Sequence, residues 1–198
     1  MTITAAPGEK YTLRCKFFRV FGNAFHIYHA DGSLAAYCKQ RAFKLKEDLR
    51  VYTDESQTEE LFRIGARSII DLGATYDVRL PTGETIGSLR RKGLKSTFVR
   101  DEWLVSDEQG QQVATLREQG SFPMLRRFDY IGAVMNIVAP QRYEILRADG
   151  TPIARFRQHF NPVIYRLGIS VLADDEVLDE LVILAAACLV GAIEGRQQ

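Results

Sequence analysis

A chain of 198 residues with 46% hydrophobic and 26% charged content lies in the globular range and is long enough for one sizeable core. Its 26 basic and 25 acidic residues leave a formal charge of +1, which excludes a global field that would draw it onto nucleic acid or membrane; electrostatic binding has to come from a local patch. Cys15, Cys38 and Cys188 are odd in number, far apart and without C-x-x-C spacing, which argues against a disulfide framework and a zinc site and fits a reducing cytoplasm.

Met1 to Arg14 is polar and broken by Pro7 and Gly8, so it offers no apolar run for a secretory signal. Residues 1–10 are expected to form a flexible tail and residues 11–198 a single domain. Tyr11 to Phe21 reads as the first strand. Four hairpins follow, marked by four glycines, Gly32, Gly83, Gly110 and Gly150, that can be placed in register. Seven residues before each stands an aromatic (Phe25, Tyr76, Trp103, Tyr143), and five before stands a β-branched aliphatic (Ile27, Val78, Val105, Ile145). These define one face of a strand. Four residues after each glycine comes a small residue (Ala36, Gly87, Ala114, Ala154), and six after comes an apolar one (Cys38, Leu89, Leu116, Phe156). These define the matching face of the returning strand. The pairs Asp31-Gly32, Thr82-Gly83, Gln109-Gly110 and Asp149-Gly150 supply the positive φ that tight hairpins use. A small residue beside a bulky one lets another element approach closely, as where a barrel wall packs on a helix.

Between and after these units, Ala42 to Thr53, Glu60 to Arg67, Gln141 to Leu146 and Pro162 to Leu172 also read as strands. Uneven spacing of the glycines disfavours a propeller. The total of about a dozen strands exceeds what an open twisted sheet carries without curling, and closure removes the edges. From Pro123 to Val138, the spacing of Leu125, Phe128, Ile131, Val134, Met135 and Val138, with Pro140 as a stop, predicts a short crossover helix. From Glu176 to Ile193 the chain is apolar on every face, led in by acidic residues and followed by Gly195. Its 13 uninterrupted apolar residues, Leu181 to Ile193, fall short of the ~20 that a bilayer core needs, so the run reads as a buried helix. The fold class is mainly β: a closed antiparallel barrel of about twelve strands around a central hydrophobic C-terminal helix.

Three segments carry a family resemblance: YTLRCKFFRVFGNAFHIYHADGSLAAYCKQRAFKLKEDLRVYTDE near the start, YDVRLPTGETIGSLRRKGLKSTFVRDEW in the middle, and ADDEVLDELVILAAACLVGAIEG at the end. With the hairpin pattern and the terminal helix, the chain resembles the LURP-one-related branch of the tubby C-terminal-like superfamily, which is similar to the phospholipid scramblases. The resemblance covers nearly the whole chain. It implies a fold more than an activity, since that superfamily ranges from phosphoinositide-binding transcriptional regulators to lipid-linked membrane proteins. The cysteine-rich and proline-rich N-terminal extension typical of scramblases has no counterpart here, which argues against membrane anchoring.

The densest basic cluster is Arg90, Arg91, Lys92 and Lys95, in LRRKGLKS between two predicted strands. With backbone N–H groups near Gly93 it suits a phosphorylated headgroup or another polyanion; the alternative is a solvated turn whose cations discourage edge pairing. Tubby domains bind phosphoinositides through basic residues, and the resemblance assigns none of those residues to positions of this sequence. A basic residue recurs seven positions after each repeat glycine (Lys39, Arg90, Arg117, Arg157). Alternation places it outward, either as a solubilising wall or as a continuous basic stripe. Asp174, Asp175, Glu176 and Asp179, with Glu180, form a weak calcium candidate, suggested by the acidic segment of the scramblases. They lack the glycine and spacing of an EF-hand and equally suit helix capping.

His26 is expected to face outward, and His159, in RFRQHFNP, has no nucleophile motif to partner it. No recognisable catalytic motif occurs, and neither a catalytic residue nor a cofactor nor a metal is assigned. The expected function is non-enzymatic binding of an anionic phospholipid headgroup or other phosphorylated ligand, in the cytoplasm and peripheral at the membrane. The alternatives are a barrel that engages a protein partner, and a scramblase-like lipid transporter whose helix enters the bilayer. No nucleic-acid partner is expected.

Overall fold

Apolar residues at every second position, interrupted by turns that need a positive φ, generate a chain of hairpins. The computed structural model describes residues 5–16, 24–39, 49–67, 74–92, 102–119, 141–161, 164–172 and 178–194. The strands are β1 (Tyr11–Lys16), β2 (Ala24–His29), β3 (Leu34–Lys39), β4 (Leu49–Tyr52), β5 (Glu60–Ala66), β6 (Thr75–Arg79), β7 (Thr85–Arg91), β8 (Glu102–Ser106), β9 (Gln112–Gln119), β10 (Arg142–Arg147), β11 (Pro152–His159) and β12 (Ile164–Val171). Each pairs antiparallel with the next, and β12 returns to β1, with Leu13 opposite Leu167, so the barrel closes.

The repeat seen in the sequence is the inner lining of this barrel. Phe25 faces Cys38 and Ile27 faces Ala36; Tyr76 faces Leu89 and Val78 faces Gly87; Trp103 faces Leu116 and Val105 faces Ala114; Tyr143 faces Phe156 and Ile145 faces Ala154. All of these residues are buried. The four repeat glycines have φ between 80° and 92°. In each unit the glycine N–H donates to the carbonyl three residues back, as from Gly32 to His29 at 3.0 Å. Asp31, Asp107 and Asp149 accept backbone N–H bonds across their turns, the short-range bonding that makes aspartate a turn residue. A register shift follows the β-branched residue in every unit, at Ile27, Val78, Val105 and Ile145, and a fifth occurs after Val51 in the β4–β5 hairpin. Bulges bend the bulged strand and raise its twist, so five of them at equivalent places curl the sheet into closure.

The C-terminal helix, α1 (Glu180–Glu194), starts four residues later than its predicted start at Glu176. Asp179 sets that start: its carboxylate accepts the Leu181 N–H at 2.7 Å and its carbonyl accepts the Val182 N–H at 2.9 Å, the bonding of an N-cap. This spends the one described carboxylate of the calcium candidate outside the helix. Asp174, Asp175 and Glu176 lie outside the described residues, as does the predicted crossover helix, Pro123 to Val138. From Val182 to Ala192 every residue of α1 is buried, and the helix runs nearest to β7, β12 and β1. Such all-round burial places it along the inside of the barrel. Alanines on three successive residues, Ala185 to Ala187, keep it slender there.

Cys15, Cys38 and Cys188 are buried and form no disulfide. Burial pushes the Cys15 thiol up to about 11 and the Cys188 thiol to about 12. For Cys38, burial and then the neighbouring Cys188 and Cys15 raise it well above the usual thiol value. The reactive thiolate is disfavoured at all three.

Candidate anion-binding surface

Because α1 fills the barrel interior, the face open to solvent is the outer wall. Outward side chains come from alternate positions on each strand, and strand register decides their neighbours. Near the end of β7, Arg90 is exposed, opposite Thr75 on β6 and Leu104 on β8. Arg91 is half-buried opposite Trp103, with its guanidinium carbon 6.0 Å from the indole centre, within cation–π range. The Lys92 ammonium donates to Glu102 at 3.1 Å. Lys95 and Gly93 lie outside the described residues. The predicted basic cluster therefore divides by role: Lys92 is neutralised, Arg91 rests on an aromatic ring, and Arg90 has no ion-pair partner among the described residues.

Glu102 also accepts from Arg117 at 3.1 Å. Burial raises its carboxyl, but the hydrogen bonds and charges of Lys92 and Arg117 outweigh burial and hold it below the usual carboxylate value. The pattern continues across the wall. Arg117 stands opposite Glu144, and Glu144 stands opposite Arg155, whose Nε donates to it at 2.8 Å. Charge thus alternates from Lys92 through Glu102, Arg117 and Glu144 to Arg155. The recurrent basic residues Lys39, Arg90, Arg117 and Arg157 are all exposed, as alternation requires. They do not form a continuous basic stripe, because Glu102 and Glu144 stand between the cations on this side.

His26 faces outward, stacked against Tyr28 at 6.0 Å, with Tyr37 edge-on at 5.0 Å, and its Nε2 lies 2.7 Å from Glu55. His159 is held at a place the sequence does not reveal. Its Nε2 lies 2.5 Å from Oε1 of Glu9, whose other oxygen accepts the Ala6 N–H at 3.0 Å. Of the stretch 1–10 expected as a flexible tail, residues 5–10 pack on the wall, because Pro7 and Gly8 make a turn closed by Glu9 N–H to Ala6 carbonyl at 3.0 Å. That turn seats the Glu9 carboxylate over Gly168. A Cβ at Gly168 would collide with that carboxylate, so glycine here leaves the room in which it stands.

Burial raises the Glu9 carboxyl, yet the hydrogen bonds from His159 and Ala6 and the charges of His159 and Arg166 hold it below its ordinary value. A carboxylate lowered in the folded state contributes stability that is present above its unfolded pKa and lost as pH falls through the folded one. Glu9→Gln is therefore expected to destabilise the protein by about 1–2 kcal/mol at neutral pH and to flatten the acid side of its stability profile. Urea unfolding across the carboxylate range measures this. Identical acid limbs for variant and wild type would contradict the buried-carboxylate account.

A second feature missed in the sequence is a row of three arginines, Arg50, Arg63 and Arg79, in direct register on β4, β5 and β6. Each stands beside an inward apolar residue, which marks it as outward. Their alignment depends on the length of the β4–β5 turn, which contains no glycine; Gln57 takes the positive φ there, at 59°.

A family model described as LURP-one-related matches residues 34–190 of the chain. Among solved structures, an X-ray structure of a protein from Arabidopsis thaliana is similar to it, at 13% sequence identity and a TM-score of 0.49, over 98% of this chain and 99% of that one. No curated protein matches.

Proposed function

The chain belongs to the LURP-one-related family, and from that premise we propose that it is a non-enzymatic binding protein whose outer wall recognises an anionic phospholipid headgroup or another phosphorylated ligand. The observation that carries this reading is the exposed Arg90 guanidinium beside Lys92 at the end of β7, where the basic run leads on to Lys95. A guanidinium takes phosphate oxygens in a bidentate fork. The filled interior supports surface binding over an internal cavity. Contact with a membrane would be peripheral: among the described residues no helix is long and apolar enough to cross one. Among the described residues, the exposed large hydrophobics are Phe160 and Leu172, which follow the last residues of β11 and β12. In an antiparallel pair those are opposite ends, so together they make no single apolar patch for a protein partner.

Flotation with phosphatidylcholine vesicles, with and without anionic lipid and across a salt series, tests the reading. Binding is expected to need anionic lipid and to weaken with salt, since surface attraction is screened. Removing four cations near the surface, in a variant replacing Arg90, Arg91, Lys92 and Lys95 with alanine, is expected to cost roughly 100-fold or more at about 1 kcal/mol each. Equal binding by this variant and wild type, or none at all by either, would overturn the lipid-headgroup reading.

A further inference from the structure

We propose that the outer face of β4, β5 and β6 is a separate anion site, in which Arg50, Arg63 and Arg79, flanked by Arg67, take a ligand that presents two or more phosphate groups. The first support is register. Arg50 is the cross-strand partner of Arg63, and Arg63 of Arg79. All three alternate with inward residues (Leu49 and Val51, Phe62 and Ile64, Val78) that are almost fully buried, so the three side chains leave the same side of the sheet. Like charges directly opposite one another destabilise a sheet. The wall from β8 to β11 does the reverse, alternating Glu102, Arg117, Glu144 and Arg155. On the β8–β11 wall that row is neutralised across strands, with a single opposed pair of like charge beside it, Arg142 and Arg157, whereas across β4, β5 and β6 three charges of one sign stand in line.

The local charges confirm that the row is not balanced from nearby. Arg50 has Glu60 at 3.7 Å. Asp77, nearly fully buried on the same outer face, takes Arg67 at 2.6 Å and Arg79 at 2.9 Å. Four arginines thus share two carboxylates, and Arg63, at the centre, has no ion pair among the described residues. Its Nε is buried without a hydrogen-bond partner among them. Asp77 also fixes geometry: by accepting from both Arg67 and Arg79, it limits the positions both guanidiniums adopt. Arg50, Arg67 and Arg79 nevertheless keep roughly half of their side-chain surface exposed, at 55%, 57% and 43%, leaving donors for a ligand.

The spacing indicates the ligand. Neighbouring strands lie about 4.8 Å apart, so the outer two arginines of the row are carried on strands about 10 Å apart. One phosphate does not bridge that span. Two or three linked phosphates, or phosphates crowded on a membrane surface, match three guanidinium forks in line. The site is distinct from the one proposed above, since Arg79 pairs with Thr85 at one end of β7 and Arg90 with Thr75 at the other.

The test uses inorganic tripolyphosphate in calorimetry and phosphatidylcholine vesicles with phosphatidic acid in flotation, on wild type, Arg63→Ala, Arg63→Lys and the variant lacking the Arg90–Lys95 cations. Arg63→Ala is expected to weaken binding on the order of tenfold or more, the loss that goes with one charged hydrogen-bonding group. Arg63→Lys, which keeps the charge and loses the fork, should fall between. The melting temperature of Arg63→Ala should stay level or rise, because a like-charge contact is removed, whereas a structural arginine would lower it. Loss of tripolyphosphate binding identifies a soluble ligand, and loss confined to vesicles identifies a membrane surface; either supports the site. Unchanged binding of both probes in Arg63→Ala, or a lowered melting temperature, would overturn it. If only the Arg90–Lys95 variant loses binding, this site fails while the function proposed above stands.

Discussion

Replacing Ala187 with tryptophan is expected to abolish folding of the barrel. Ala187 is completely buried on a helix buried from Val182 to Ala192, and its neighbours Ala186 and Cys188 are equally enclosed. A surface helix has a solvent side into which an indole can swing. This helix is surrounded by wall, and Leu13 and Phe25 already stand close enough that a Cβ on Gly191 would meet them at 3.4 Å and 3.2 Å. Overpacking by one or two methylenes costs about 1–3 kcal/mol; an indole at this place is expected to cost roughly 4 kcal/mol or more. That is a large part of the stability of an ordinary domain, about 5–15 kcal/mol. Circular dichroism and urea unfolding of the purified variant are the measurements. A variant at Ala187, or at Ala186, that melts like wild type would refute the enclosed helix.

The second large effect is expected at Gly87, on the part of the wall that packs against Val182 of that helix. The other three hairpins carry alanine at the equivalent place, Ala36, Ala114 and Ala154, whereas a Cβ on Gly87 would lie 2.9 Å from both the Ser106 carbonyl oxygen and Val182 Cγ2. Gly87→Ala is expected to destabilise by about 2–3 kcal/mol. Val182→Ala, which empties the helix side of the contact, should cost about 2 kcal/mol alone. If the two residues meet as described, the double variant will be less damaged than the sum by about 1 kcal/mol. The relief is partial, because the Ser106 carbonyl remains. Strict additivity in urea unfolding would mean that Val182 does not face Gly87, and the helix would have to be placed elsewhere.

The same hairpin repeat shows what a sequence reader gains and misses. Phe25, Tyr76, Trp103 and Tyr143, with their partners across each turn, were legible because the glycines fix turn position and the period of two then fixes the face. The β4–β5 hairpin carries no such mark, since Gln57 adopts a left-handed φ of 59° that β-carbon-bearing residues reach only at some cost. Its strands were readable from their apolar pattern, but their pairing was not. For that reason Arg50, Arg63 and Arg79, separated by 13 and 16 positions in the chain, look unrelated until register brings them side by side. Contiguous cations such as Arg90 to Lys92 attract notice in a sequence. In the folded protein Glu102 and Trp103 engage two of them. Glu9 was invisible for a third reason: its partners, His159 and Gly168, come from the far end of the chain, and no local pattern announces a contact of that range.

All strand pairs but one join neighbours in the chain, and the exception, β1 with β12, is the seam that closes the barrel. The residues that fill the interior come after that seam, on α1. In chain order the first eleven strands can zip together hairpin by hairpin, yet their lining faces have nothing to enclose until α1 follows. Loop closure over most of the chain and insertion of the helix are then obliged to coincide. A chain lacking Glu180 onward therefore keeps all twelve strands but leaves their apolar lining uncovered, a surface prone to aggregation.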